Sequence, residues 1–122
     1  MKIGMMADIY KPHISGVTNY ITLNKKYLEE QGHEVYIFTF GDLDYEDNES
    51  HVIRSPGIPL VNTGFHFGLV LSRQARKLLY GMDIVHVHHP FQSGPLALRY
   101  CKSRNIPIVF TNHTRYDLYA QV

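Results

Sequence analysis

The chain has 122 residues, 44% of them hydrophobic, which suits one domain with its own core and leaves little room for two. Charged residues make up 19%, below the usual share of about 25%. With 12 Lys and Arg against 11 Asp and Glu the net charge is +1, so bulk charge points to neither a nucleic-acid nor an acidic partner. A single cysteine, Cys101, excludes an intrachain disulfide framework and fits a reducing, cytoplasmic setting. The N-terminus meets Asp8 too early for the apolar stretch of a signal peptide, and no run approaches the ~18 apolar residues of a membrane span. Any membrane contact is therefore expected from the surface.

In chain order, Lys2 to Ala7 reads as a buried strand, followed by a Pro/Gly loop from Tyr10 to Gly16. Val17 to Gln31 carries Val17, Tyr20, Ile21, Asn24, Tyr27 and Leu28 at helical spacing, and Gly32 closes that helix. Val35 to Phe40 is β-branched and aromatic, as suits a strand buried on both faces. Gly41 to Ser50, with Asp42, Asp44, Glu46, Asp47 and Glu49, reads as a solvated acidic loop without a function. Val52 to Arg54 suits a short third strand. Pro56, Gly57, Pro59 and Gly64 then interrupt regular structure before a helix around Leu69 to Tyr80. Ile84 to His88 reads as a strand, Gly94 to Ser103 as a helix and Ile108 to Thr111 as the last strand. This order predicts an α/β fold, a Rossmann-like, mostly parallel sheet with flanking helices. The segment from His113 to Val122 ends without a cap or polar tail, and the chain is expected to be a fragment of a longer polypeptide.

Three groups of residues could carry chemistry. Ligands of open α/β sheets bind beyond the carboxyl ends of the strands, where helix N-termini face anions. At the first such end, Ser15-Gly16-Val17-Thr18 opens a helix: Gly16 lets the backbone approach a phosphate or pyrophosphate, and Ser15 or Thr18 supplies a hydroxyl or a cap. The spacing matches neither G-x-G-x-x-G nor the P-loop. A plain helix cap with a turn-forming glycine is the alternative. Second, four of eight histidines, His86, His88, His89 and His113, lie near two strand ends. There His88, His89 and His113 could offer switchable hydrogen bonds to a polar ligand. His86 and His88 share a strand face, which a zinc site could use, yet there is no HExxH and no cysteine pair, and no metal is assigned. Third, Phe65 to Tyr80 contains no acid, and Arg73, Arg76 and Lys77 at i, i+3 and i+4 give one basic helical face suited to a membrane interface. Each such residue near an anionic leaflet is worth about 1 kcal/mol. An ordinary amphipathic helix packing Leu78 and Leu79 on the sheet is the alternative.

Taken together, the Met1-Lys2-Ile3-Gly4 strand, the Tyr10-Lys11-Pro12-His13-Ile14-Ser15-Gly16-Val17 loop, the Leu28-Glu29-Glu30-Gln31-Gly32-His33-Glu34-Val35 helix exit, Asp83-Ile84-Val85-His86-Val87-His88 and Ile106-Pro107-Ile108-Val109-Phe110-Thr111-Asn112-His113-Thr114 resemble the N-terminal domain of glycosyltransferase family 4 (group 1). The resemblance implies the N-terminal, acceptor-side half of a two-domain glycosyltransferase B-type architecture over residues 1–122, with the nucleotide-sugar-binding domain and its E-x7-E motif absent. It implies retaining hexose transfer from a nucleotide-diphosphate sugar to an acceptor hydroxyl, with no tightly bound cofactor and with no activity from this fragment alone. Ser15, Gly16 and Val17 would approach the donor diphosphate, and His113 would act catalytically near the transferred sugar. Tyr10, Thr18, His88, His89, Arg115 and Tyr116 would line the acceptor site. Ser15 stands where many members carry the first glycine of a Gly-Gly pair.

His113-Thr114-Arg115-Tyr116-Asp117-Leu118-Tyr119 is similar to the His-Thr-x-Tyr-x-x-Tyr segment of members that glycosylate diacylglycerol or related lipids. With the basic helix, this favours a lipid acceptor and a cytoplasmic protein at the inner membrane face. The competing readings are a soluble-acceptor transferase, a metal-dependent hydrolase using the histidines, and a non-catalytic ligand-binding module. The last predicts an acidic cluster at the strand ends, where Asp8 stands alone.

Overall fold

The computed structural model describes residues 1–59, 66–67 and 70–111. Its elements run β1 (Lys2–Met6), α1 (Gly16–Glu30), β2 (Glu34–Phe40), β3 (Val52–Ser55), β4 (Ile58–Pro59), β5 (His66–Phe67), α2 (Arg73–Leu79), β6 (Ile84–Val87), α3 (Ser93–Lys102) and β7 (Ile108–Phe110). Five strands form a parallel sheet in the order β3-β2-β1-β6-β7. The Rossmann-like α/β fold read from the sequence is thus observed, with strand order reversing between β1 and β6.

Alternation along the strands sends side chains to two cores. Ile3, Met5, Ala7, Val35 and Ile37 pack with Ile21 of α1 on one face. Met6, Phe38, Phe40, Val85 and Val87 pack with Ala75 and Leu79 of α2 and with Leu96, Ala97, Tyr100 and Cys101 of α3 on the other. Burial pushes the Cys101 thiol up to about 11, which keeps it an inert core residue.

Three elements differ from the sequence reading. Helix α1 buries Thr18, Ile21 and Lys25, whereas Tyr20 and Tyr27 are exposed, so its inner stripe includes a lysine and leaves out two aromatics. Helix α2 starts at Arg73 rather than near Leu69, because the Ser72 hydroxyl accepts from the Ala75 N–H and caps it, while the Ser72 N–H donates to the buried Ser55 Oγ at the end of β3. The Pro/Gly stretch contains a two-residue antiparallel pairing, β4 with β5, too short to show a period of two in sequence.

Two glycines have opposite environments. A Cβ on Gly4 would lie 3.1 Å from Met82 Cγ and 3.2 Å from Phe38 Cε2, inside the packed core. A Cβ on Gly16 would meet nothing within 4 Å among the described residues. In the full-length protein, Gly4→Ala should therefore cost about 1–3 kcal/mol by overpacking. Gly16→Ala should leave stability the same or raise it by up to about 1 kcal/mol. Thermal or urea unfolding of the two variants checks both.

Candidate active site

The carboxyl ends of β1 and β6 are neighbours, paired Met6 to Val87, and this is where an open parallel sheet with reversed strand order leaves a crevice. Asp8, just past β1, is 1% exposed. Its Oδ1 accepts from the Ser93 N–H and from the Ser93 hydroxyl, both at 2.7 Å, and its Oδ2 accepts from the Gln92 N–H at 3.2 Å. Asp8 thus caps α3 from more than 80 residues away, where α3 has no side-chain cap of its own. Sequence reasoning missed this role, since capping rules look a few residues ahead and not across a sheet. The available signal was an acid placed directly after a buried apolar strand.

The Asp8 N–H donates to His89 Nδ1 at 3.0 Å, which leaves the proton of the neutral ring on Nε2. His89 is half-buried on the rim, while His88 is 1% exposed and lies edge-on to Tyr20 of α1, with ring centroids 5.8 Å apart. The shared strand face of His86 and His88 is observed, with rings 4.0 Å apart, and His86 Nε2 meets Thr111 Oγ1 at 2.5 Å. His88 therefore underlies the rim and His89 forms it, because alternation turns His88 beneath α1. Among the described residues, no group of three His, Cys, Asp or Glu side chains is placed to hold a metal ion.

Helix α1 begins after the loop that follows β1. Ser15 Oγ accepts from the Thr18 N–H at 3.1 Å and meets Thr18 Oγ1 at 3.1 Å, so Ser15 is the cap and Thr18 is buried beneath it. Gly16 and Val17 follow with ordinary helical backbone, and their N–H groups have no hydrogen-bond partner among the described residues. A pair of such N–H groups at the start of a 15-residue helix suits an anion.

The loop that delivers Ser15 is held by the acidic segment: Asp44 and Glu46 are exposed, as a solvated loop would have them, whereas Glu49 turns inward. Glu49 accepts from Tyr10 Oη at 2.7 Å, from Lys11 Nζ at 2.9 Å and from Lys25 Nζ at 2.8 Å, and Lys25 also donates to the Ser50 carbonyl. Asp42 pairs with His13 at 3.2 Å. Tyr10, expected at the acceptor site, is instead 1% exposed; burial, together with the Glu49 carboxylate, raises its hydroxyl well above the usual tyrosine range. Burial alone would raise Glu49, but hydrogen bonds from Lys25, Tyr10 and Lys11 outweigh it and hold the carboxyl below its ordinary 4.5.

Arg73, Arg76 and Lys77 are exposed along α2, which buries Ala75 and Leu79 and half-buries Leu78. Among the described residues, no helix is long and apolar enough to cross a membrane. His113, Arg115 and Tyr116 lie outside the described residues; β7, which precedes them, ends on the same sheet edge as β1 and β6.

With this edge defined, comparison with known proteins decides the family: residues 14–121 match Glycosyltransferase Family 4. The chain belongs to glycosyltransferase family 4. It is 40% identical over 125 residues to an alpha-monoglucosyldiacylglycerol synthase of Acholeplasma laidlawii, covering 98% of this chain and 31% of the relative. To the alpha-monoglucosyldiacylglycerol synthase of Streptococcus pneumoniae it is 36% identical over 131 residues, with 98% and 28% covered. A GDP-mannose-dependent alpha-mannosyltransferase of Corynebacterium glutamicum is 26% identical over 129 residues, with 99% and 31% covered. The chain therefore spans about a third of the length of the curated relatives it matches.

The depressed carboxyl of Glu49 has a pH consequence. A folded-state value below the unfolded one gives stability that is present above about pH 4.5 and lost as pH falls through the folded value. Glu49→Gln should cost about 3 kcal/mol at neutral pH by leaving the buried Lys25 ammonium without its counter-ion. The gap in Tm between the two proteins should narrow below pH 4.5, as pH-dependent calorimetry of the full-length proteins would show.

Proposed function

We propose that this chain is the acceptor-side domain of a retaining hexosyltransferase that moves a sugar from a nucleotide-diphosphate donor to a hydroxyl of a membrane lipid, diacylglycerol in the first instance. The observation that carries the reading is the sharing of one sheet edge by two turns. The loop after β1 leads to the Gly16–Val17 helix start, and the His89-bearing turn follows β6, whose carboxyl end is paired with that of β1. The Acholeplasma and Streptococcus relatives, both named for monoglucosyldiacylglycerol synthesis, support the lipid acceptor.

In this reading the donor pyrophosphate lies against the Gly16 and Val17 N–H groups, which favour the charge that develops as the C1–oxygen bond to the leaving diphosphate breaks. The acceptor oxygen forms the new bond to C1, and its proton passes to an oxygen of the departing diphosphate. His89 lines the acceptor side, and His113, Arg115 and Tyr116 extend it, with His113 beside the transferred sugar. The nucleotide and the paired glutamates belong to a second domain. That division is supported by the roughly one-third share of its relatives that the chain covers. Arg73, Arg76 and Lys77 give the protein a peripheral contact with the cytoplasmic membrane face.

The test is transfer by the full-length protein from UDP-glucose or GDP-mannose to vesicles containing diacylglycerol, with the glycolipid read by mass spectrometry. Product on diacylglycerol supports the reading. Transfer only to soluble acceptors removes the lipid part, and no transfer to either class removes the whole. His113→Ala should lower turnover with the unfolding midpoint unchanged; undiminished turnover in that variant would take His113 out of the site.

A further inference from the structure

Arg54 lies on β3, two strands away from the β1–β6 crevice, and its side chain is 6% exposed. Its guanidinium grips Asp47 with two parallel bonds, Nε to Oδ2 at 3.1 Å and Nη2 to Oδ1 at 2.8 Å. The same Nη2 donates to the backbone carbonyl of Lys11 at 2.5 Å, and the ring of Tyr45 lies 5.2 Å from the guanidinium carbon. Lys11 is four residues before Ser15, and Pro12 between them has its φ fixed by the pyrrolidine ring. Only three residues, Pro12 to Ile14, therefore separate the Lys11 carbonyl from the Ser15 cap of α1.

The arrangement is poorly explained by stability alone. A buried arginine–carboxylate pair can often be exchanged for apolar side chains at no loss, and Arg54 Nη1 is buried without a hydrogen-bond partner among the described residues. What the planar fork does supply is orientation, since two bonds to Asp47 fix the plane from which the third reaches the loop. Neither Asp47 nor Lys11 belongs to the His89 rim, which hangs instead from Asp8 and α3.

We infer that Arg54, oriented by Asp47, is a positioning residue of the transfer reaction: it sets where the Gly16 and Val17 N–H groups stand and so tunes the donor half of the site without touching the acceptor half. The inference rests on the reading that those N–H groups face the donor diphosphate.

The experiment measures kcat, both KM values and Tm for the full-length enzyme and its Arg54→Lys, Asp47→Asn and Gly16→Ala variants, with UDP-glucose as donor (GDP-mannose where that is the sugar turned over) and diacylglycerol vesicles as acceptor. Lysine keeps the charge but not the fork, and asparagine keeps the shape but not the second acceptor oxygen. Both should lower kcat/KM for the donor by roughly ten- to hundredfold, with acceptor KM within about twofold of the parent. A drop in Tm with donor kinetics intact, while Gly16→Ala does impair them, would overturn the inference and leave the donor-loop reading standing. Intact donor kinetics in all three variants would remove that reading and the inference with it. Should Arg54→Lys fail to fold, Asp47→Asn decides alone.

Discussion

The carboxylate of Glu49 collects a phenol, a half-buried ammonium and a buried ammonium within 2.9 Å, and the geometry of the first loop depends on that meeting. Lys25 lies on the inner stripe of α1, Tyr10 and Lys11 on the loop before it, and Glu49 on the segment leading into β3. A charge as deeply buried as Lys25 is tolerable only with a counter-ion and hydrogen bonds in place. Folding of the helix, the loop and the acidic segment is thereby made conditional on one another. A solvated loop could not do this, since exposed ion pairs contribute little and hold no fixed geometry.

Asp8 performs the matching task across the crevice. One carboxylate accepts three hydrogen bonds at the start of α3, and the same residue's N–H engages His89. The two carboxylates sit behind the crevice and tie its walls to the sheet from opposite sides. The groups left toward the crevice, a half-buried imidazole and two backbone N–H groups, are then fixed in position before any substrate arrives. Electrostatic preorganisation of this kind can lower a barrier without a protein nucleophile.

Sheet and helices were legible in the sequence because β1, β2 and β6 are apolar runs closed by turn residues, and because Ser15 and Gly32 mark both ends of α1 by local chemistry. The start of α1 was legible for the same reason: a cap and an exposed glycine are neighbours in sequence. The supports were not. Asp8 to Ser93, Glu49 to Lys25 and Arg54 to Lys11 join residues 24 to 85 positions apart, and periodicity carries no information about such pairs. A run of five acids reads as solvated surface whether or not its members turn inward. Lys25 also occupies a helix position that a hydropathy pattern assigns to the polar face, so its burial becomes visible only with its counter-ion.

The two glycines show how function separates from folding along one strand and its loop. Gly4 is required by neighbours already present, Met82 and Phe38, and any larger residue there contests space with the core. At Gly16 no neighbour, positive φ or turn among the described residues calls for glycine, and alanine would suit the first turn of a helix better. A residue whose absent side chain benefits nothing inside the molecule is best accounted for by something that approaches from outside. With N–H groups at Gly16 and Val17 that have no partner among the described residues, and the positive end of α1 behind them, that visitor is expected to be an anion brought close to the backbone. The diphosphate of the proposed donor would meet each of those conditions.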